Sequence, residues 1–327
     1  MKHYIALDWA QRNMAISRMT DGSSEIKTVD VKADIKEFRL YLKQLKGEKV
    51  LTFEETTTSQ WLFTELKEYV DEIVVCDPYR NKLLSEGAKT DKNDAEKLVR
   101  LLKADLLKPV FHSFDEFISI RKLVSGYQDV VVANVRLKNQ RAALLRGVGK
   151  AKKEKESGSA VGDFVLARLD KSIELLETQR SEYKEEFTKL HKKHSLLKLL
   201  RTIPGIGPVG AVKIAAIVVS PDRFKEVPNF WSYCGLVELQ KISGGTVYGK
   251  KAPRYCRILK HVFMAAAMSA IKKENGPLGA YYQYLRSMGK PEAHARKSVA
   301  RKIAAITLAV MKSKNAFDPG RFKCSPK

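Results

Sequence analysis

The chain has only four cysteines in 327 residues, and Cys76, Cys234, Cys256 and Cys324 form no CxxC pair. That spacing excludes a disulfide framework and the common thiolate zinc sites, and it fits reduced thiols in a cytoplasm. No apolar run reaches the roughly 18 residues of a membrane span, and the first residues carry no signal-peptide pattern. A basic amphipathic helix with an aromatic face is also missing, so an anionic membrane surface is not the expected partner. Histidine is scarce. His191 and His194 stand three apart in a lysine-rich helical stretch, where an ordinary solvated face competes with a metal pair.

What the chain has in excess is positive charge, +23 overall. Residues 1–112 hold 19 basic and 19 acidic side chains, residues 113–195 hold 17 and 12, and residues 196–327 hold 24 and 6. The excess is therefore concentrated behind a neutral first third. A basic domain of that density is an electrostatic footprint for nucleic acid, whereas a merely solubilising surface mixes both signs.

The neutral third carries four carboxylates of interest: Asp8, Glu54, Asp91 and Asp94. Asp8 closes the apolar run Tyr4-Ile5-Ala6-Leu7, and Glu54 closes Val50-Leu51-Thr52-Phe53. Acids just past the end of buried strands lie at the carboxyl edge of a sheet, where α/β folds place chemistry. Asp91 and Asp94 open a helical pattern and share one face of it. Converging acids repel unless a cation sits among them. Oxygen-only ligands favour Mg²⁺ or Mn²⁺, and two such ions can clamp the attacking and leaving oxygens of a phosphodiester. Each acid taken alone reads equally well as an ordinary strand-end or helix-start residue.

The pattern along the chain predicts strands at 3–8, 14–19, 25–31, 49–54 and 72–76, with helices at 34–45, 59–70 and 91–104. Three strands followed by alternating helix and strand is the ribonuclease-H-like order. A long helical stretch follows over 115–148, with Leu123, Val130, Leu137 and Leu144 at spacing seven. After a polar linker at 150–160 comes a seam of Leu169, Ile173, Leu176, Arg180, Tyr183, Phe187, Leu190, His194 and Leu197, in alternating steps of four and three. Such heptads predict an antiparallel coiled-coil hairpin, packed within one chain or between chains.

The last third opens on Ile203-Pro204-Gly205-Ile206-Gly207-Pro208 and a helical segment containing Lys213. This has the form of a helix-hairpin-helix turn, in which Gly205 and Gly207 let backbone amides approach a phosphate; a plain turn between packed helices is the competing reading. Ser243 lies in the glycine-flanked Ile242-Ser243-Gly244-Gly245, with Lys241, Lys250, Lys251, Arg254 and Arg257 around it. These cations suit a phosphate attacked by the serine, though Ser-Gly-Gly on its own is more often a turn. Helices are expected at 256–272 and 292–312, the second presenting Arg296, Lys297, Arg301 and Lys302. Tyr281, Tyr282 and Tyr284 suit core packing better than base stacking.

Together these segments resemble the insertion-sequence transposases with a DEDD motif, related to the Piv-type DNA invertases and including bridge-RNA-guided recombinases. The resemblance rests on Ala6-Leu7-Asp8, Phe53-Glu54-Glu55-Thr56 and Lys89-Thr90-Asp91-Lys92-Asn93-Asp94-Ala95 in the first third. In the last third it rests on Ile203-Pro204-Gly205-Ile206-Gly207, Gly235-Leu236, Ser243-Gly244, Gly289-Lys290 and Ala300-Arg301-Lys302. It implies a RuvC-like α/β domain over 1–112, a coiled-coil hairpin over 113–198, and a mainly α transposase domain over 199–327. It further implies Mg²⁺ on Asp8, Glu54, Asp91 and Asp94, and Ser243 as the nucleophile. The expected partners are donor and target DNA and a non-coding guide RNA that pairs with both. The expected state is a homodimer or tetramer in a prokaryotic cytoplasm, at the nucleoid when acting. Glu55 stands where a small residue is usual, which leaves Glu54 and Glu55 both open. Ala252-Pro253-Arg254 replaces a frequent Gly-Asn pair. Two rival functions remain at this level: a RuvC-like two-metal nuclease in which Ser243 is only a turn, and an inactive nucleic-acid-binding scaffold.

Overall fold

A computed structural model describes residues 1–81, 90–272 and 276–322. Lys89 and Cys324 lie outside these residues. The chain divides into two compact units, Met1–Phe114 and Asp115–Lys327.

The first unit opens with an antiparallel meander of β1 (Lys2–Trp9), β2 (Asn13–Thr20) and β3 (Ser23–Lys32). Then come α1 (Ile35–Gln44), β4 (Glu48–Glu54), α2 (Ser59–Leu66), β5 (Glu72–Cys76), α3 (Pro78–Asn81) and α4 (Asp91–Lys103). The sheet order is β3-β2-β1-β4-β5, with β4 parallel to β1 and β5 parallel to β4. Strand side chains alternate between faces. Ile5, Leu7, Leu51, Phe53 and Val75 therefore form one core with Phe38 and Leu42 of α1 and Leu62 and Leu66 of α2. Ala6, Val50 and Cys76 form a second core with Leu98, Val99 and Leu102 of α4. The central strands are apolar on both faces because helices cover both.

The second unit contains α5 (Glu116–Gly147), α6 (Ala160–Lys193), α7 (Ser195–Leu200), α8 (Pro208–Val218) and α9 (Val227–Tyr233). A hairpin of β6 (Leu239–Ser243) and β7 (Thr246–Lys251) follows, then α10 (Arg257–Ile271), α11 (Pro277–Ser287) and α12 (Glu292–Ser313). α5 and α6 run antiparallel, with Glu116 paired to Lys193, Arg141 to Asp170 and Lys138 to Glu177. All nine positions of the predicted α6 seam are buried or half-buried. On α5, Leu123, Val130, Leu137 and Leu144 are only half-buried, and Val124, Tyr127 and Leu145 go fully inside. The shift follows from α5 packing on α8 as well as on α6. The 150–160 stretch is held in place, because Arg141 donates to the carbonyls of Lys152 at 2.9 Å and Glu154 at 3.0 Å. α8 is the centre of this unit: every residue from Ala211 to Val218 is buried.

Candidate functional site

The parallel register of β1 and β4 pairs Ala6 with Thr52. Two residues further along both strands stand Asp8 and Glu54, side by side at the carboxyl edge. They point to the face that Ala6 and Thr52 share, the α4 face. Lys103, the last residue of α4, donates to the carbonyls of Thr20 at 2.8 Å and Ser23 at 2.7 Å. Thr20 pairs with His3, at the opposite edge of β1. α4 thus runs against β1, and its amino end points toward the edge that carries Asp8 and Glu54.

Thr90 starts α4 by accepting from Asn93 N–H at 3.2 Å, a side-chain cap that defines where the helix begins. Asp91 sits one turn above buried Ala95, and Asp94 one turn above buried Leu98. Both acids thus continue the stripe that packs on the sheet. Asp8, Glu54 and Asp94 are half-buried and Asp91 is exposed. Among the described residues, no three His, Cys, Asp or Glu side chains are close enough to share a metal ion. All four are carboxylates, the donor type that a hard divalent cation takes, and neighbouring strands place Asp8 and Glu54 about 5 Å apart.

Glu55 has a different environment. Its carboxylate accepts from Ser59 Oγ at 3.0 Å and meets His112 Nε2 at 3.0 Å. His112 in turn lies 5.5 Å from the Phe63 ring on α2. Glu55 is engaged on the α2 side, which leaves Glu54 as the glutamate on the α4 face.

Ser243 is not in an irregular loop. It ends β6, pairs with Thr246 across a two-residue Gly244-Gly245 turn, and is exposed. Both turn glycines have positive φ, +55° and +80°, the backbone a tight hairpin requires. Every residue of both strands is exposed except half-buried Gly249. The root of the hairpin is anchored: Arg301 Nε donates to the Leu236 carbonyl at 2.6 Å, and Lys297 pairs with Glu238 at 2.7 Å. The Lys297 ammonium holds the Glu238 carboxyl below its ordinary range. Trp231 Nε1 donates to the Arg301 carbonyl at 2.8 Å.

The predicted nucleic-acid cations therefore divide. Lys241, Lys250, Lys251, Arg254 and Arg257 are exposed in or just after the hairpin; Lys241 also lies 6.0 Å over the Tyr248 ring and Lys250 3.9 Å from Glu238. Arg296, Lys297, Arg301 and Lys302 are half-buried with internal partners, Arg296 on Glu292 and Lys302 over the Phe322 ring.

The 203–208 turn links α7 to α8. Gly205 has φ +86°, and a Cβ there would stand 2.1 Å from the Ala266 carbonyl oxygen. Gly207 is the N-cap of α8. Lys213, expected on a phosphate-facing surface, is only 6% exposed. The reason is its helix: Ala211 to Val218 is apolar apart from Lys213, so the helix is buried on all sides and carries the lysine inside. His191 is hydrogen-bonded to the Pro208 carbonyl at 2.9 Å, and the His194 ring lies tilted against Phe117 at 5.1 Å; they pack as structural histidines. Tyr281 and Tyr282 pack against the core. The Glu55–His112–Ser59 cluster and the Glu238 anchor have no sequence signature, because their partners are far apart in the chain.

Comparison with known proteins matches residues 5–149 to a DEDD-type transposase family of IS110 elements, and residues 197–283 to the Transposase IS116/IS110/IS902 family. The chain is similar to the uncharacterized 43.6 kDa protein of insertion element IS110 from Streptomyces coelicolor, 25% identical over 162 residues. It is 28% identical over 174 residues to the 44.8 kDa protein of IS116 from Streptomyces clavuligerus. It is 24% identical over 164 residues to the 42 kDa protein of IS900 from Mycobacterium paratuberculosis. These matches cover 49%, 51% and 50% of this chain, and 40%, 40% and 41% of the relatives.

Proposed function

The chain belongs to the DEDD family of insertion-sequence transposases, and from that premise we propose that it cuts and rejoins DNA strands through a phosphoserine intermediate. The observation that carries this reading is the placement of Asp8 and Glu54, adjacent on parallel strands, at the edge toward which α4 directs Asp91 and Asp94. The sheet order of the first unit, β3-β2-β1-β4-β5, is the order of a ribonuclease-H-like fold, which supports a RuvC-like reading of that unit.

Asp8, Glu54, Asp91 and Asp94 would hold Mg²⁺, or Mn²⁺, which when bound neutralises charge on phosphate oxygens. Ser243, exposed at the end of β6, offers its hydroxyl to a DNA phosphorus. Its Oγ forms the new P–O bond as the bond to the deoxyribose oxygen breaks, and the serine proton ends on the leaving oxygen. One phosphodiester replaces another, so rejoining needs no ATP. Lys241, Lys251, Arg254 and Arg257 supply positive charge along the same hairpin and its exit. The charge excess of residues 196–327 suits backbone contact, which carries little sequence information. Sequence choice is then delegated to a non-coding guide RNA pairing with donor and target DNA. The α5–α6 hairpin, as a coiled coil, supports a homodimer or tetramer.

The test incubates the full chain with Mg²⁺, the element's DNA junction and the transcript of its flanking non-coding region. Denaturing gels then report a protein–DNA adduct. The expected result is an adduct lost in Ser243→Ala and in Asp8→Ala, and dependent on the transcript. Cleavage without adduct, unchanged in Ser243→Ala but lost in Asp8→Ala, would replace this reading with a two-metal nuclease. A chain that binds DNA but never cleaves it would be a scaffold.

A further inference from the structure

Arg180 occupies a seam position of α6, where packing alone favours an apolar residue. Its side chain lines a cavity of about 510 Å³ among α5, α6, α8 and α10. Arg180 Nε is shielded from solvent and makes no hydrogen bond. Lys213 lines the same cavity and is more than nine-tenths buried. It donates to Gln128 Oε1 at 3.0 Å and rests 4.9 Å from the centre of the Tyr127 ring. An ammonium has three donors, so capacity remains for a second partner.

No Asp or Glu is among the residues that line the cavity. A buried lysine and a half-buried arginine with no carboxylate in the lining leave the cavity short of negative charge, and buried charge is costly unless it is paired. Burial, reinforced by the Arg180 charge, pushes the Lys213 ammonium toward easier deprotonation. The amino end of α8 opens on the same space: Gly207, Val209 and Gly210 all line it. Gly207 offers no side-chain cap. First-turn amides have no acceptor within their own helix and carry the positive end of its dipole. The opposite wall is apolar, formed by Val131, Val132 and Val135 of α5.

We propose that this cavity is a phosphate-binding site, in which Lys213, Arg180 and the amino end of α8 hold the anion and the valine wall receives the remainder of a nucleotide. The phosphate belongs either to a nucleic-acid backbone or to a free mononucleotide. The site stands on the cavity and its charges, so loss of the Ser243 adduct reading leaves it intact.

The test is thermal melting of the full chain at constant ionic strength, titrated with inorganic phosphate and with deoxyadenosine monophosphate. Lys213→Met keeps the length and apolar stem of the side chain while removing the buried charge. Its ligand-free melting temperature should equal or exceed that of wild type, so its fold is secure. The wild type should be stabilised by both ligands, and Lys213→Met should bind them at least tenfold more weakly. Arg180→Gln should show a partial loss. A single-stranded oligodeoxynucleotide that displaces labelled mononucleotide identifies a backbone phosphate; failure to displace it identifies the free nucleotide. Equal stabilisation of wild type and Lys213→Met, or no response of the wild type to either ligand, overturns the proposal.

Discussion

Gly205→Ala isolates what the 203–208 turn contributes. At φ +86°, an L-residue costs about 1–2 kcal/mol more than glycine. The added Cβ would lie 2.1 Å from the Ala266 carbonyl oxygen, against about 3.5 Å for an unstrained contact. That oxygen is helix backbone in α10 and cannot rotate away, so the turn and α10 must separate. Forcing extra atoms into a packed core costs about 1–3 kcal/mol. Alanine's lower entropy when unfolded offsets about 0.4–1 kcal/mol. The net loss is about 1–4.5 kcal/mol, or roughly 2–18 °C in melting temperature for a unit of this size. Gly244→Ala is the matched control, with φ +55° and nothing within 4 Å of its added Cβ. It bears only the backbone term, about 1 kcal/mol, at an exposed hairpin. Melting of both variants, followed by far-UV circular dichroism, decides the matter. If Gly205→Ala loses no more than Gly244→Ala, the close approach of the turn to α10 is wrong.

Two further outcomes follow from packing in the second unit. Arg301→Ala removes the donor to the Leu236 carbonyl and should cost about 1–3 kcal/mol. It should also weaken adduct formation at Ser243 beyond that stability loss, with Arg301→Lys only partly restoring it; unchanged adduct yield would show the hairpin root needs no such tether. Burial, with a smaller contribution from Cys256, pushes the Cys234 thiol far above its ordinary range. In the native chain it should resist iodoacetamide at pH 8.5, with mass spectrometry as the readout, and react in urea. The neutral thiol stabilises the fold fully below the unfolded thiol pKa of about 8.5, and that contribution declines as pH rises above it. Equal labelling rates in buffer and in urea would refute its burial.

The linear pattern was sufficient for the strand and helix positions of the first unit, because period-two and period-3.6 runs such as residues 3–8 and 91–104 report directly which face is apolar. It also marked Asp8, Glu54, Asp91 and Asp94 as edge residues, since each ends or begins such a run. Tertiary structure decided what periodicity cannot express. The parallel β1–β4 register put Asp8 beside Glu54, and the Lys103 contacts gave α4 its direction. Sheet faces, and the contact of Glu55 with His112, 57 residues further along the chain, set Glu54 and Glu55 in different surroundings. Ser243 read as a loop because glycine pairs mark turns without revealing the strands beside them; pairing with Thr246 made it a hairpin. Lys213 read as a surface cation because charge usually seeks water. Only the burial of α8 among α5, α6, α7 and α10 showed that its ammonium faces a cavity, beside an arginine that in sequence was one more step of a heptad.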